Sequence, residues 1–263
     1  MGIKILAKPV TFNTGKQGAE VAGRSRSIPR PTDPRLLEAQ NTPASSSNEK
    51  RVKEIPDNFF QLAICDPPYG IGHDGQRQRV HNNRKHNRKF HARKGWDKEP
   101  PPPEYFRELE RVSENQIIFG GNYFAPMLNR GTKGWLVWDK GQHGLSQSDC
   151  ELAYSSFDLP TRVVIINRAA LQQDGNTIHP TQKPVRLYRW ILKNYARPGD
   201  RVLDTHAGSG ASCIACHEMG FDFLAFEIDP DYCRAAAERL EYARAQVRFD
   251  DLPTIRAEQV KLF

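Results

Sequence analysis

The stretch Arg201-Val202-Leu203-Asp204-Thr205-His206-Ala207-Gly208-Ser209-Gly210, continued by Ala211 to Met219 and Phe223-Leu224-Ala225-Phe226-Glu227, decides the fold class. Arg201 to Asp204 reads as a strand that runs into a glycine turn. A helical stretch follows from Ala211 to Met219, and then a second strand that ends at Glu227. Strand, glycine turn, helix and acid-tipped strand is the layout by which open α/β sheets hold an adenosine-containing cofactor. The glycines let the backbone come close to a ligand, and Glu227 is placed to accept hydrogen bonds from ribose hydroxyls. A nicotinamide dehydrogenase is the nearest competitor, but its fingerprint wants a third small residue after G-x-G, where this chain has Cys213.

Far upstream, the apolar run Leu62-Ala63-Ile64-Cys65 leads into Asp66-Pro67-Pro68-Tyr69. A strand ending in a carboxylate, two prolines and an aromatic ring can grip an exocyclic amino group on a flat base. The carboxylate accepts one N–H, the carbonyl of Pro67 accepts the other, and the ring stacks on the base. Proline fixes φ and has no N–H, so no backbone donor competes for these acceptors. A turn after a buried strand also favours Asp, Pro and Gly. Paired with the glycine turn, however, the tetrapeptide makes that turn read as a seat for S-adenosylmethionine, since a dehydrogenase has no use for an amine grip.

On these residues the chain resembles the S-adenosylmethionine-dependent DNA amino-methyltransferases that make N6-methyladenine or N4-methylcytosine. More narrowly, it is similar to the permuted β class, in which the catalytic tetrapeptide precedes the cofactor loop. Relatives acting on ribosomal RNA guanines or protein glutamines carry Asn-Pro-Pro-Tyr downstream of the glycines, the reverse of the order here. The resemblance runs from Ile55 to Tyr242 and includes Ile117 to Phe124, Trp135 to Lys140 and Asp149 to Ala153 as successive strands and their ends. It implies an α/β, Rossmann-like methyltransferase fold: a mostly parallel seven-stranded sheet, helices on both faces, and a circularly permuted motif order. By the same resemblance Asp66, Pro67, Pro68 and Tyr69 are catalytic, and Asp204, Thr205, His206, Gly208, Ser209, Gly210 and Glu227 bind the cofactor, S-adenosyl-L-methionine. His179-Pro180-Thr181-Gln182-Lys183-Pro184 looks like the family's cofactor-side motif, which puts Thr181 and Lys183 near the methionine carboxylate. The implied reaction is methylation of adenine N6 in double-stranded DNA after the base is flipped out. Asp at the head of the tetrapeptide favours adenine, because relatives acting on cytosine N4 more often carry Ser there; cytosine N4 is the alternative. A DNA-binding protein without turnover on the same fold is the reading from another class.

The composition adds a local device. Lysine and arginine number 38 against 31 acids, a net of +7. Residues 76–95 carry Arg77, Arg79, Arg84, Lys85, Arg88, Lys89, Arg93 and Lys94 and no acid, so this loop alone accounts for the net charge. Leaving the tetrapeptide, it must border the pocket, where it is expected to contact DNA phosphates with little sequence choice. Between the strand at 162–167 and His179 only residues 168–178 remain, too few for a recognition domain, so a short or relaxed target is expected.

The chain divides into a poorly ordered N-terminal segment, 1–50, a methyltransferase domain, 51–248, with the basic loop inserted, and a C-terminal tail, 249–263. The stretch before Ile55-Pro56-Asp57 lacks the acid that relatives use to hold the cofactor's adenine. No apolar run reaches 18 residues and no secretory signal is evident, so no membrane span and a cytoplasmic, nucleoid-associated location are expected. Five cysteines suit reduced thiols. Cys213 and Cys216 read as helix packing rather than zinc ligands, Cys65 as core rather than a nucleophile, His179 as packing beside Pro180, and no metal is expected. The ending Gln259-Val260-Lys261-Leu262-Phe263 resembles the sliding-clamp pentapeptide, with Gln259, Leu262 and Phe263 as the anchors; folding back on the domain is the alternative. A homodimer stays open.

Overall fold

The structure is a computed structural model that describes residues 3–6, 52–75, 90–128, 131–144, 148–167 and 177–246. Six of the eight basic-loop residues (Arg77, Arg79, Arg84, Lys85, Arg88 and Lys89), residues 168–176 and the tail with Gln259, Leu262 and Phe263 lie outside the described residues.

The strands are β1 (Ile3–Leu6), β2 (Phe60–Cys65), β3 (Ser113–Phe119), β4 (Trp135–Asp139), β5 (Cys150–Ser155), β6 (Arg162–Ile165), β7 (Arg201–Asp204) and β8 (Asp222–Glu227). The helices are α1 (Pro103–Val112), a single turn α2 (Gly121–Phe124), α3 (Val185–Tyr195), α4 (Ala211–Met219) and α5 (Pro230–Ala245). They form one sheet in the order β1-β8-β7-β2-β3-β5-β4-β6. Pairings β8–β7, β7–β2, β2–β3 and β4–β6 are parallel, while β1 and β5 run against their neighbours. The seven strands from β2 to β8 are those expected. An eighth strand lies at the edge of the sheet: Ile3–Leu6 pairs antiparallel with β8, Ile3 opposite Glu227 and Leu6 opposite Leu224.

Alternation along the central strands explains the two layers of helix. Leu62 and Ile64 of β2, Ile117 and Phe119 of β3, Val202 of β7 and Ala225 of β8 face a core with α3, α4 and α5. Ala63, Cys65, Ile118, Leu203 and Phe226 face the opposite core with Phe106, Leu109 and Val112 of α1. Strands buried on both faces read as continuous apolar runs, as these do. Helix α3 presents Leu187, Tyr188, Ile191, Leu192 and Tyr195 at helical spacing to the first core. Helix α5 starts at Asp229, whose carboxylate accepts from the amides of Asp231 at 2.9 Å and Tyr232 at 3.0 Å, with Pro230 in the first turn. Cys213 and Cys216 are buried in α4 and Cys65 in β2; burial, with Asp204 nearby, pushes the Cys65 thiol up to about 12, which leaves it without nucleophilic character. Among the described residues no helix is long and apolar enough to cross a membrane.

One strand ends earlier than the sequence suggests. Residues 117–124 read as a strand and its end, yet β3 stops at Phe119, because Gly120 adopts φ +74° and starts α2. A Cβ on Gly120 would lie 2.3 Å from Cε1 of Tyr69, so the turn admits only glycine and sets how closely the Tyr69 ring approaches β3. Gly120→Ala is therefore expected to cost roughly 2–4 kcal/mol in urea unfolding, from the left-handed backbone and the overpacked ring together. Gly131→Ala, with no described neighbour within 4 Å, is the control and should stay within about 0.5 kcal/mol.

Candidate active site

Ligands of open α/β sheets lie beyond the carboxyl ends of the strands, at the point where strand order reverses. Here that point lies between β7 and β2: the chain moves outward from β2 to β3 on one side and from β7 to β8 on the other. Leu62 pairs with Val202 and Ala63 with Leu203, so Asp66 and the turn after Asp204 emerge side by side. A cavity of about 910 Å³ opens above them. Its wall includes Asp66 to Tyr69, His206 to Ser209, Glu227 and the segment His179 to Lys183.

The structure does not bring every expected cofactor residue to this wall. Asp204, Thr205 and Gly210 stand behind it and shape the turn. The Asp204 carboxylate accepts from the amide of His206 at 2.9 Å and from the hydroxyl of Ser212; burial, opposed by these bonds, pushes it up to about 7. The Thr205 hydroxyl lies 2.6 Å from the Tyr105 hydroxyl and 2.9 Å from Nδ1 of His206. Gly210 packs on α5 so closely that a Cβ would meet Ala236 at 3.0 Å. His206 reaches the cavity with its imidazole lowered to about 4 by burial, hence neutral. Glu227 does so with each oxygen accepting an amide: Oε2 from Gly208 at 2.7 Å and Oε1 from Asp229 at 2.9 Å. Each oxygen retains a further lone pair.

Lys183 is the main departure. The resemblance puts its ammonium near a cofactor carboxylate; in the structure it sits between two of the protein's own. Nζ lies 2.5 Å from Oδ2 of Asp66 and 3.0 Å from Oε2 of Glu151, with the Tyr69 hydroxyl at 3.4 Å. The side chain is only 4% exposed, and a buried ammonium needs acceptors for its three protons, which these groups provide. Glu151 also pairs with Lys140 at 3.0 Å. Burial pushes the Glu151 carboxyl up, but Lys183 and Lys140 outweigh it and hold it down at about 2. For Asp66 the balance reverses: burial, against the pull of Lys183, leaves its carboxyl above the ordinary range. Tyr69 donates to Oδ1 of Asp66 at 2.8 Å and stacks on Tyr123 with centroids 5.0 Å apart and rings 19° from parallel.

His179 packs as a loop residue, stacked on Trp96 with centroids 5.0 Å apart and edge-on to Tyr232 at 4.4 Å. Burial first, then the charge of Lys183, lowers it to about 3. Thr181 turns its hydroxyl toward Nδ1 of His179 at 3.2 Å. Of the two described basic-loop residues, Arg93 is 82% exposed. Lys94 differs from the expected phosphate ligand. Its ammonium is tied to Asp229 at 2.7 Å and Asp231 at 2.8 Å and lies 4.5 Å from the centre of the Tyr232 ring. Reading the sequence missed Glu151, Lys140 and Asp97; the only signal was that Trp138-Asp139-Lys140 and Asp149-Cys150-Glu151 each carry charge at the end of an apolar strand.

The family model described as DNA methylase, of the N6/N4 methyltransferase type, matches residues 130–238, from just before β4 into α5. The match covers less than half of the chain, and over β4 to α5 the chain is similar to the N6/N4 DNA methylases. Among curated relatives, this chain is 27% identical over 204 residues to YubD of Escherichia coli (strain K12), provisionally named a methylase, covering 71% of this chain and 84% of the relative. It is 24% identical over 231 residues to the type II methyltransferase M.HpaI of Haemophilus parainfluenzae, covering 73% and 71%. Over a shorter span of 90 residues it is 33% identical to the DNA adenine methyltransferase YhdJ of Escherichia coli (strain K12), covering 34% of this chain and 31% of the relative. Its fold is like that of M1.HpyAVI, solved as a complex with SAM: the TM-score is 0.50 at 20% identity, over 73% of this chain and 96% of that one.

The charge cluster makes a pH prediction. Glu151 has its folded value below its ordinary 4.5, so its pairing contributes stability above pH 4.5 that is lost as pH falls through about 2. Glu151→Gln should therefore lower stability by about 3–5 kcal/mol at pH 7 and by much less near pH 2.5. Urea midpoints of both proteins at the two pH values measure this; an equal deficit at both would contradict the assignment.

Proposed function

We propose that this protein transfers a methyl group from S-adenosyl-L-methionine to the N6 amino group of adenine in DNA, after the base has been turned out of the duplex. The observation that carries the reading is the meeting of Asp66 to Tyr69 with His206 to Ser209 and Glu227 in one cavity at the reversal of strand order.

The residues fit the cofactor. The cavity is at the upper end of the size of small-molecule sites, which suits two ligands that must touch. Gly208 has φ +52°, and a Cβ there would point toward the His179 ring at 3.7 Å, so glycine keeps that space open. Gly208, Ser209 and His206 would hold the cofactor from the turn, Glu227 at the ribose, and Thr181 toward the methionine end. Bound, S-adenosyl-L-methionine supplies a methyl group on a positively charged sulfur, open to displacement by an amine.

The remaining work belongs to the protein. An adenine amino nitrogen is a weak nucleophile because its lone pair is delocalised into the ring. Asp66, as a carboxylate, accepts one N–H and the Pro67 carbonyl the other, which favours a pyramidal nitrogen with its lone pair restored. Burial alone would protonate Asp66 and spoil this; Lys183, at 2.5 Å, opposes that protonation and keeps an acceptor in place. Fixing amine and donor at attack distance is worth roughly 7–11 kcal/mol at the upper end. Turning the base out costs a few kcal/mol. Stacking on Tyr69, fixed by its bond to Asp66 and by Tyr123, returns about 1–3 kcal/mol. Arg93 and the basic segment before it supply the phosphate contacts, with affinity that falls steeply as salt rises. Adenine is favoured by Asp66 at the head of the tetrapeptide, and a short or relaxed target by the eleven residues between Asn167 and His179.

Asp66→Asn is expected to cut transfer of labelled methyl to unmethylated DNA by roughly a hundredfold or more while calorimetry gives cofactor affinity within a few-fold of the native protein. Digestion of the labelled DNA to nucleosides should yield N6-methyladenosine as its deoxynucleoside. N4-methylcytosine there would overturn the choice of base, and no labelled nucleoside would favour a DNA-binding protein without turnover.

A further inference from the structure

The four residues after the tetrapeptide form a stiff tip with an apolar side chain at its point. Asp97 is buried and accepts three backbone donors from this tip: Oδ1 from Gly70 at 2.8 Å, Oδ2 from His73 at 2.7 Å, and its carbonyl from Gly72 at 2.9 Å. Gly70 and Gly72 both take left-handed backbone, φ +74° and +72°, and a Cβ on Gly70 would lie 2.7 Å from Cδ of Pro100. Between these glycines stands Ile71, on the rim of the cavity and 43% exposed.

A single exposed aliphatic side chain on a surface needs no explanation. Ile71 differs because its surroundings fix it outward. Two left-handed glycines and a buried carboxylate hold the tip open, where a relaxed loop would let the side chain fold onto the protein. Exposure on this scale forgoes much of the burial free energy that an isoleucine offers, so folding gains little from the choice. Two exposed cations stand beside the tip: Arg93, whose Nε lies 4.0 Å from the largely buried Asp74, and Lys98, and both line the same shallow recess as Ile71. An apolar point flanked by exposed Arg93 and Lys98, at the mouth of a pocket for an unstacked base, is complementary to duplex DNA with a gap in its stack. Such a gap is a slot between two apolar base faces with phosphates on its outer side, and aliphatic wedges enter base steps in this way.

The geometry points to Ile71 as the side chain that enters the base stack where the target base has left it, with duplex DNA as the occupant of this rim. The inference rests on the base-flipping reading above and adds the residue that keeps the vacated position from closing. Ile71 touches none of the reacting atoms; it is a positioning residue, acting on the population of DNA with its base extrahelical.

The test compares native protein, Ile71→Ala and Ile71→Leu in two assays: competitive binding to a short synthetic duplex with one abasic site against the same duplex intact, and labelled methyl transfer to unmethylated plasmid. The native protein should favour the abasic duplex, in which no base has to leave, by roughly tenfold. Ile71→Ala should lose most of that preference and roughly tenfold in transfer with an unchanged thermal midpoint, and Ile71→Leu should retain both. Retention of the native preference by Ile71→Ala, or no preference in the native protein, would overturn the wedge. Absence of methyl transfer by the native protein would instead overturn the proposed reaction, whatever the binding shows.

Discussion

The ammonium of Lys183, buried between Asp66 and Glu151, is the interaction on which the rest of the site depends. It comes from the segment just before α3, reaches across the ends of β2 and β5, and is the only cation among the described residues within salt-bridge distance of Asp66. Two carboxylates at this depth repel one another and resist ionisation; with Lys183 between them and Lys140 on the far side of Glu151, the four charges alternate and sum to zero. Breaking such a pair from one side leaves an uncompensated buried charge, at a cost of about 3–5 kcal/mol. The same ammonium that ties β2 to β5 at this edge also opposes protonation of Asp66, so stability and the proposed chemistry draw on one contact.

The topology explains how that contact arises. Six strands end at the same edge of the sheet, and the antiparallel β5 begins there, which brings Glu151 to the side where Asp66, Asp204 and Glu227 lie. Permuted order along the chain therefore has little consequence in space. The tetrapeptide and the glycine turn lie far apart in sequence but follow neighbouring strands in parallel register. The charged ends supply the site, while the apolar middles of the same strands supply the two cores.

Much of this was legible in the sequence where the signal is local. The strand Arg201–Asp204, the helix Ala211–Met219 and the acid at Glu227 follow from an apolar run, a glycine turn and an acid-tipped strand, and the structure has the same boundaries for the first two. The apolar run ending at Cys65 placed Asp66 at a strand end in the same way. What was hidden is set by long-range pairing. The role of Glu151 depends on β5 running antiparallel, which no residue in β5 announces. Asp97 accepts from residues more than twenty positions earlier, and Lys183 finds Asp66 only because α3 packs under β2 and β3. Ile3–Leu6, short and surrounded by polar sequence, gains strand structure only through the edge of β8. Lys94, one of a run of like charges, has its partners in Asp229 and Asp231, more than a hundred residues on.

The central claim is that an amine-gripping tetrapeptide and a cofactor turn share one cavity so that a methyl donor faces Asp66. A crystal structure of the protein with S-adenosyl-L-homocysteine, the demethylated cofactor, tests it most directly. The account predicts the ribose at Glu227, the glycine turn against the ligand, and the thioether sulfur facing Asp66 and Pro67 across the cavity. A ligand bound elsewhere, or seated in the cavity with its sulfur directed away from Asp66, would contradict it.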